Sequence, residues 1–591
     1  MRSSILVAAA LAGPAIGQTI LVTTSADTVD VPIGATIADL PGPDGVVSFR
    51  EALRASDNEP GRQTIGFEIP ESDWYLAHIY PGIVLLQGSQ SFSASQPVII
   101  DGTTQTDFTG DTNPTGNEVV LPLQTYLNGG ETIVTGLHSS RVELGGSGAE
   151  VYGNTGGMDI RLVLATEGLV RDNEADNINL TYSSRNLVVR NTTERVRITG
   201  LGMASPATGN IIGGPDAADR NYITGFGNFG EHGAPAGDGV ELYYTVDTLI
   251  QNNYIGTTPD GMEVSNPACT TGIAVHNFNH GLTILDNLIA VNATNSRFGG
   301  RFGQEIYLGL YEGGEDIEIK GNTMGLNALG ELAPGGKYGV WISADAFENA
   351  GQIVIGGQNP GEGNVIAGHS STGVLMMTFP GVTPTAHALV SGNSIYANDE
   401  IGIDLMPNTW TFGPTPNDAM DVDGGANGLQ NYPVLASAQW NGSATSIVGS
   451  IQTLANRAFV VEFFSSPACD PSGFGQGRTF LGSTMVQTNA AGSAAFEVSL
   501  ASEPTAGTVV TATATRENTG DTSEFSACTP VADASCRADL AVPLGVLDFF
   551  DVAAFLSMFS DEDLTADFTG DGVFNFFDVA AFLEAFAAGC P

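Results

Sequence analysis

The stretches Gly239-Val240-Glu241-Leu242, Gly272-Ile273-Ala274-Val275, Gly339-Val340-Trp341-Ile342, Gly373-Val374-Leu375-Met376 and Gly402-Ile403-Asp404-Leu405 share one pattern, glycine–apolar–x–apolar, and Glu305-Ile306-Tyr307-Leu308 is a variant of it. The x positions, 241, 274, 307, 341, 375 and 404, lie 33, 33, 34, 34 and 29 residues apart. A near-constant period of that size marks a solenoid. Strand side chains alternate, so the apolar flanks point inward and stack from coil to coil, and x points outward. Between these elements stand Asn-x-apolar steps: Asn210/Ile212, Asn221/Ile223, Asn253/Ile255, Asn287/Ile289, Asn322/Met324, Asn364/Ile366 and Asn393/Ile395. Asparagine tolerates left-handed backbone at a turn, and its amide can hydrogen-bond its equivalent in the next coil. A leucine-rich repeat needs shorter units on a leucine framework, and a propeller blade needs four strands in about 40 residues. Neither fits.

The repeats resemble those of right-handed parallel β-helix proteins, the group that includes pectate lyases and periplasmic NosD-like proteins. The resemblance covers about 205–405 well and 20–200 more loosely. Residues 103–200 carry short β-runs such as Ile160-Arg161-Leu162-Val163 between Gly and Asn turns, and read as early, irregular coils. Farther upstream, Ser48 and Glu51 in Ser48-Phe49-Arg50-Glu51-Ala52-Leu53-Arg54-Ala55 form a capping box that opens a short helix. Alternating runs at 64–69 and 82–86 and Pro97-Val98-Ile99-Ile100-Asp101-Gly102 follow. This order resembles the CSLREA cap found ahead of bacterial parallel β-helices, with Val47 in place of its Cys and Phe49 in place of its Leu.

Acidic residues outnumber basic ones by 65 to 20, for a net charge of -45. That balance excludes nucleic acid as a partner, because phosphates are gripped by Lys and Arg. It argues, less strongly, against polyanionic sugars, and it suits calcium, which takes oxygen ligands. Arg2, the apolar run from Ile5 to Leu11 and Ala15-Ile16-Gly17 read as a signal peptide over 1–17, so the mature chain is expected to begin at Gln18 and to be secreted. No later stretch reaches the roughly 18 apolar residues of a membrane span. Five cysteines fit local disulfides in an exported protein. The expected pairs are Cys469–Cys528 and Cys536–Cys590, with Cys269 left over, although sequence position alone does not fix the pairing.

Residues 408–433 form an acidic loop containing Asn417, Asp418, Asp421, Asp423 and Asn427. After it, alternating runs at 446–451, 458–464, 479–487, 494–500 and 507–515 are spaced like the strands of a β-sandwich over 434–530. This segment resembles the sandwich often found after such β-helices. In the tail, Phe549-Phe550-Asp551-Val552-Ala553-Ala554-Phe555-Leu556 recurs unchanged at 576–583 and reads as a duplicated short helix. Before the second copy, Asp567, Thr569, Asp571, Val573 through its carbonyl, Asn575 and Asp578 occupy the ligand positions of a calcium loop, with Gly572 at its turn. The first copy, Asp539 to Gly545, lacks those oxygens and is expected to pack without binding calcium. The duplicated loop–helix unit with flanking Cys536 and Cys590 resembles a GC-type dockerin over 531–591. That resemblance implies Ca2+ as cofactor and a cohesin-like or surface docking partner. Phe549, Phe550, Phe576 and Phe577 are expected in its core rather than on its docking face.

The expected fold is therefore all-β: a cap and first coils over 18–102, a right-handed parallel β-helix over 103–433, a β-sandwich, and a small EF-hand-like helical module. The outward stripe Glu241, Ala274, Tyr307, Trp341, Leu375, Asp404 offers aromatics for sugar rings, so Glu241, Tyr307, Trp341 and Asp404 are the candidate carbohydrate contacts. Glu241 and Asp404 stand five coils apart, over ~20 Å at about 4.8 Å per coil, too far for a glycosidase pair. Tyr307 with Glu305 and Glu312 is closer but incomplete, and His276 and His280 show no third metal ligand. No catalytic residue is assigned. The expected function is an extracellular or cell-surface scaffold, adhesin-like, that binds glycan and is attached through its tail. A polysaccharide lyase or glycoside hydrolase is the rival reading.

Overall fold

The computed structural model describes residues 16–225, 238–264, 271–291, 303–333, 335–344, 351–378, 387–407, 411–440, 444–502, 504, 508–533, 537–542 and 546–589. Residues 1–15 of the expected signal peptide, and Cys269, Cys536 and Cys590, lie outside them. The chain divides into two compact units, residues 1–269 with 278–283 and residues 270–277 with 284–591.

In the first unit, Ile16–Val22, Arg62–Phe67, Val98–Asp101, Ile133–Thr135, Glu150–Tyr152, Leu169–Arg171, Leu187–Val189, Ile211–Gly213 and Leu249–Gln251 each pair in parallel with the next. A second parallel sheet runs through Phe92–Ala94, Thr125–Leu127, Arg141–Ser147, Met158–Thr166, Glu174–Thr181, Thr192–Thr199 and Asp238–Val246. From Phe92 onward the chain visits the two sheets alternately, so each circuit adds one strand to both. This is a parallel β-helix. The helix Phe49–Asn58 begins with Ser48 and Glu51 bonded reciprocally, and Phe49 packs against Phe67 and Phe92 at ring distances of 5.8 and 4.9 Å.

Residues 103–200, expected to be irregular, contain the most regular coils. Arg141, Asp159, Asn177 and Arg195 stand in one row across adjacent strands, 18 residues apart. Ile160, Ile178 and Val196 form one fully buried ladder, and Leu162, Leu180 and Ile198 another. The glycine–apolar–x–apolar signal is missing here, and charged residues fill the outward positions, so the shorter period escaped the reading.

The asparagines form the expected ladders. Backbone and side-chain N–H groups of Asn154, Asn173, Asn191 and Asn221 each donate to the Oδ1 of the next, ending at Asn253, at 2.8–3.2 Å. Asn210 belongs to a different ladder, accepting from Asn186. The left-handed backbone sits one residue earlier than expected, at Asp172, Arg190 and Asn252. Asparagine is selected for its amide, not for its φ: a buried turn N–H without a partner costs about 1–3 kcal/mol.

The second unit repeats this construction. Gln304–Gly309, Tyr338–Ala344, Val374–Thr378 and Ile403–Met406 pair in parallel, as do Ile317–Lys320, Gln352–Gly356 and His387–Ser391. Asn287, Asn322, Asn364 and Asn393 form its ladder at 2.9–3.0 Å. The pattern glycine is required by space: a Cβ on Gly339 would lie 2.3 Å from the Ile366 side chain and 2.6 Å from the Gly373 carbonyl.

Val434–Trp440, Thr445–Gln452, Ala458–Ser466, Thr479–Gln487, Ser493–Leu500, Val509–Arg516 and Thr529–Asp533 form a seven-stranded, mainly antiparallel sheet. Phe459, Phe463, Phe496, Ile447 and Val510 share its buried core. Cys469 and Cys528 form a disulfide. This segment, with Asn427 just before it, closes the last coil of its own unit. Ala388, Val390, Gly392, Asn398 and Leu405 donate their backbone N–H groups to the side chains of Asn427, Thr522, Glu462, Gln476 and Glu524, at 2.8–3.1 Å.

The tail folds as two helices, Phe549–Ser560 and Phe576–Ala588. Phe555 and Phe582, equivalent in the duplication, stack at 4.0 Å in its core. The expectation that the phenylalanine pairs are buried fails: Phe549, Phe550, Phe576 and Phe577 are 76%, 62%, 76% and 69% exposed. They open each helix beside its N-cap, while the inward helical face is already filled by Phe555, Phe559, Phe582 and Phe586.

The ladder gives a direct test. Asn322→Ala removes an acceptor for the Asn287 amides and a donor to Asn364, and is expected to destabilise the chain by about 2–3 kcal/mol in urea unfolding. Asn322→Asp keeps the acceptor but loses the donor, and should also destabilise. An unchanged midpoint for both would show that the ladder contributes nothing.

Candidate functional site

The outward row of the second unit has the expected register. Ala274, Tyr307, Trp341, Leu375 and Asp404 face one another across successive parallel strands. Tyr307 and Trp341 come together at a ring distance of 5.2 Å, flanked by His276 at 5.7 Å from Tyr307 and by Tyr338 at 5.6 Å from Trp341. Both central rings are partly exposed. The rest of the row is not the open stripe expected from alternation. Ala274, Leu375 and Asp404 are 1%, 0% and 0% exposed. Leu375 packs with Tyr338, Met377 and Met406, with Trp341 against them. Alternation decides which way a side chain points, but not whether another segment covers it.

Asp404 is covered by its own unit. Its Oδ2 accepts the Gly413 N–H at 3.0 Å, and its Oδ1 has no hydrogen-bond partner among the described residues. Glu524 lies alongside and accepts the N–H groups of Leu405 and Thr415 at 3.0 and 2.8 Å. Burial pushes Asp404 up to about 7 and Glu524 up to about 8, and their mutual repulsion adds to the shift of Glu524. Glu305, grouped with Tyr307 and Glu312 as an incomplete set, is fully buried with His369, whose Nε2 lies 3.7 Å away. It accepts the Val291 N–H and belongs to the coil interior rather than to the outward face.

In the first unit, Glu241 pairs with Arg197 at 3.2 Å and Arg195 at 3.6 Å. The Arg197 guanidinium also lies over the Tyr243 ring at 4.9 Å. Burial and the Glu241 charge push the Tyr243 hydroxyl up to about 12. These residues border a groove of about 380 Å³ lined by Asp159, Arg161, Asn177, Asn179, Arg195 and Arg197, with threonines along one side. The sequence reading missed this groove. The signal was present in the polar outward positions that recur every 18 residues through 141–199.

In the tail loop, Asp567, Thr569 and Asp578 converge. Thr569 Oγ1 donates to Asp578 Oδ1 at 2.9 Å and to Asp567 Oδ1 at 3.3 Å. Asp567 also accepts the N–H groups of Gly570, Asp571 and Gly572. Backbone N–H groups, that of Asn575 foremost, hold Asp578 down at about 2. Asp571 turns to the Val573 N–H, and the Asn575 amide donates to the Val573 carbonyl. In the first copy, Asp551 accepts from Leu540, Ala541 and Asp548 in the place Asp578 holds in the second. Leu540 and Ala541 bring no oxygen side chains to that loop. In the acidic loop, carboxylate oxygens of Asp418, Asp421 and Asp423 lie within 4.8 Å of one another.

No family model and no curated protein matches this chain. Among solved structures it is similar to full-length tailspike protein 2 from Escherichia coli O157:H7 bacteriophage CAB120. The identity is 10%, over 75% of this chain and 69% of that one, with a TM-score of 0.21. Among the described residues, no helix is long and apolar enough to cross a membrane.

The Asp404–Glu524 pair sets a pH dependence. Both carboxyls are raised from ordinary values of 3.8 and 4.5, so over the interval up to about 8 the fold holds protons that the unfolded chain has lost. Stability present at low pH is therefore lost as pH rises through about 7 to 8. Asp404→Asn removes one titrating group and the repulsion on Glu524. In thermal melts its midpoint should fall less steeply than that of the parent between pH 5 and about 8, the two curves running parallel only above that. Parallel curves from pH 5 to 8 would contradict this assignment.

Proposed function

We propose that this chain is an extracellular or cell-surface parallel β-helix scaffold, adhesin-like, that binds glycan on its outward faces and is attached through a calcium-binding, dockerin-like tail. The observation that carries the reading is the exposure of Phe549, Phe550, Phe576 and Phe577 on a module whose core is already filled by other phenylalanines. With Leu556 and Leu583, 54% and 51% exposed, they give the two helices matching apolar faces. Contiguous exposed apolar surface marks an interaction site. The duplication makes these faces equivalent, which suits a cohesin-like or other surface partner.

The CSLREA-like cap, the sandwich between β-helix and tail, the signal peptide over 1–17 and the Cys536–Cys590 bridge belong to the same reading. Asp567, Thr569 and Asp578, with Asp571, Asn575 and the Val573 carbonyl, supply the hard oxygens that calcium takes. When bound, the ion would neutralise the crowded carboxylates and fix the loop against the second helix. Tyr307 and Trp341, adjacent and partly exposed, suit the flat apolar faces of sugar rings. The lyase or hydrolase alternative draws no support from Glu305 or Asp404, both fully buried.

Calcium stoichiometry tests the tail. Equilibrium dialysis of the full chain and of Asp567→Ala should differ by one calcium per chain, with the variant lower. Equal stoichiometry would reject the loop as a calcium site. Serine at Phe549, Phe550, Phe576 and Phe577 should abolish attachment to the cell surface while leaving calcium binding intact, and retained attachment would remove the docking role from these faces.

A further inference from the structure

We propose that Arg537 is the positioning residue of the tail's calcium loop. Its guanidinium pins the main chain where that loop begins and so holds the Asp567 carboxylate at its ligand position. The inference rests on the reading of residues 567–578 as a calcium loop and goes beyond it, because Arg537 lies outside the loop and offers calcium no oxygen.

Three observations lead there. The first is the grip itself. Arg537 donates from Nη1 to the Phe568 carbonyl at 2.7 Å and from Nη2 to the Asp567 carbonyl. Its guanidinium also lies over the Phe568 ring, 4.6 Å from the centroid. The planar guanidinium fork holds two successive carbonyls in one fixed geometry, which the point charge of a lysine does not.

The second is the place of the gripped residues. Asp567 is the first ligand of the loop, and Phe568 follows it into the module's core. The Phe568 ring meets Phe555 and Phe582 edge-on at 5.5 and 5.4 Å. Phe568 is thus fixed by the core through its ring and by Arg537 through its carbonyl, and the Asp567 backbone is fixed beside it. The Asp567 carboxylate then accepts the N–H groups of Gly570, Asp571 and Gly572 at 2.7, 3.2 and 2.7 Å, which sets the loop's turn. A loop held in its binding conformation loses less entropy on binding.

The third is asymmetry. Ala538 and Ala566, both fully buried, are equivalent points of the duplication, 28 residues apart because the first loop is one residue longer. The counterpart of Arg537 is therefore Thr565, which turns back onto Asp563 through its N–H and hydroxyl at 2.9 and 2.8 Å. The first copy, whose own loop lacks the oxygens, thus braces the loop of the second.

Charge alone predicts the opposite effect. A guanidinium beside a cation site repels calcium, so removing it would tighten binding; losing the grip weakens it. The test is equilibrium dialysis of the full chain over a range of calcium concentrations, the loop's calcium being the one that Asp567→Ala loses. Arg537→Ala should bind that calcium roughly tenfold more weakly. Arg537→Lys, which keeps the charge without the fork, should be weakened too, and in both the calcium-induced rise in melting temperature should shrink. Unchanged or tighter binding in Arg537→Ala, parent-like affinity in Arg537→Lys, or a parallel fall of the calcium-free and calcium-loaded melting temperatures with affinity unaltered would overturn the assignment while leaving the calcium loop standing. A parent chain that binds no more calcium than Asp567→Ala would overturn both.

Discussion

The asparagine amide is the interaction on which the rest depends. A coil that turns sharply between two parallel sheets buries turn N–H groups that neither sheet can satisfy, and an unpaired buried N–H costs about 1–3 kcal/mol. The Asn173 Nδ2 donates both to the Asn191 Oδ1 and to backbone carbonyls of its own coil and the preceding one. Each amide therefore satisfies its own turn and the adjacent one together, which fixes coil against coil. Once that stacking is fixed, every outward position lies in a straight row. The rows in turn create both the Tyr307–Trp341 pair and the arginine groove.

Stacking leaves an end, and an open sheet end templates further pairing. In the second unit it is closed with side chains rather than with another coil. Gln476 accepts from the Asn398 backbone and side-chain N–H groups at 3.1 and 3.0 Å, reproducing a rung of the ladder with a residue from outside the repeat. Glu462 and Glu524 do similar work with carboxylates. Carboxyls serve because they accept more than one N–H, and the cost is their burial, which raises the pKa of both Glu462 and Glu524. Asp404 was legible as an acid on the outward row; its cover was not, because residues 413–415 and Glu524 are brought to it by tertiary contacts.

Local periodic features were readable from sequence. The glycine–apolar–x–apolar elements and the Asn-x-apolar steps became strands and ladders because a solenoid's long-range contacts are nearest-neighbour contacts, repeated. The regular coils at 141–199 were missed although Ile160/Ile178/Val196 repeat at 18 residues, because the longer period downstream set the template. The duplicated octapeptide located both tail helices, but the burial of its phenylalanines was misjudged. Phe is usually buried, yet two adjacent positions on a short helix cannot both face a core already filled by Phe555 and Phe582.

The proposed function needs an outward face able to hold saccharide and a tail able to hold the protein in place, and no catalytic group. The direct measurement is to expose the purified protein, with calcium present, to a broad polysaccharide panel and record both retention and the appearance of reducing or unsaturated chain ends. Retention without new ends is the expected result. New ends, formed in proportion to protein and time, would contradict it and make the chain an enzyme.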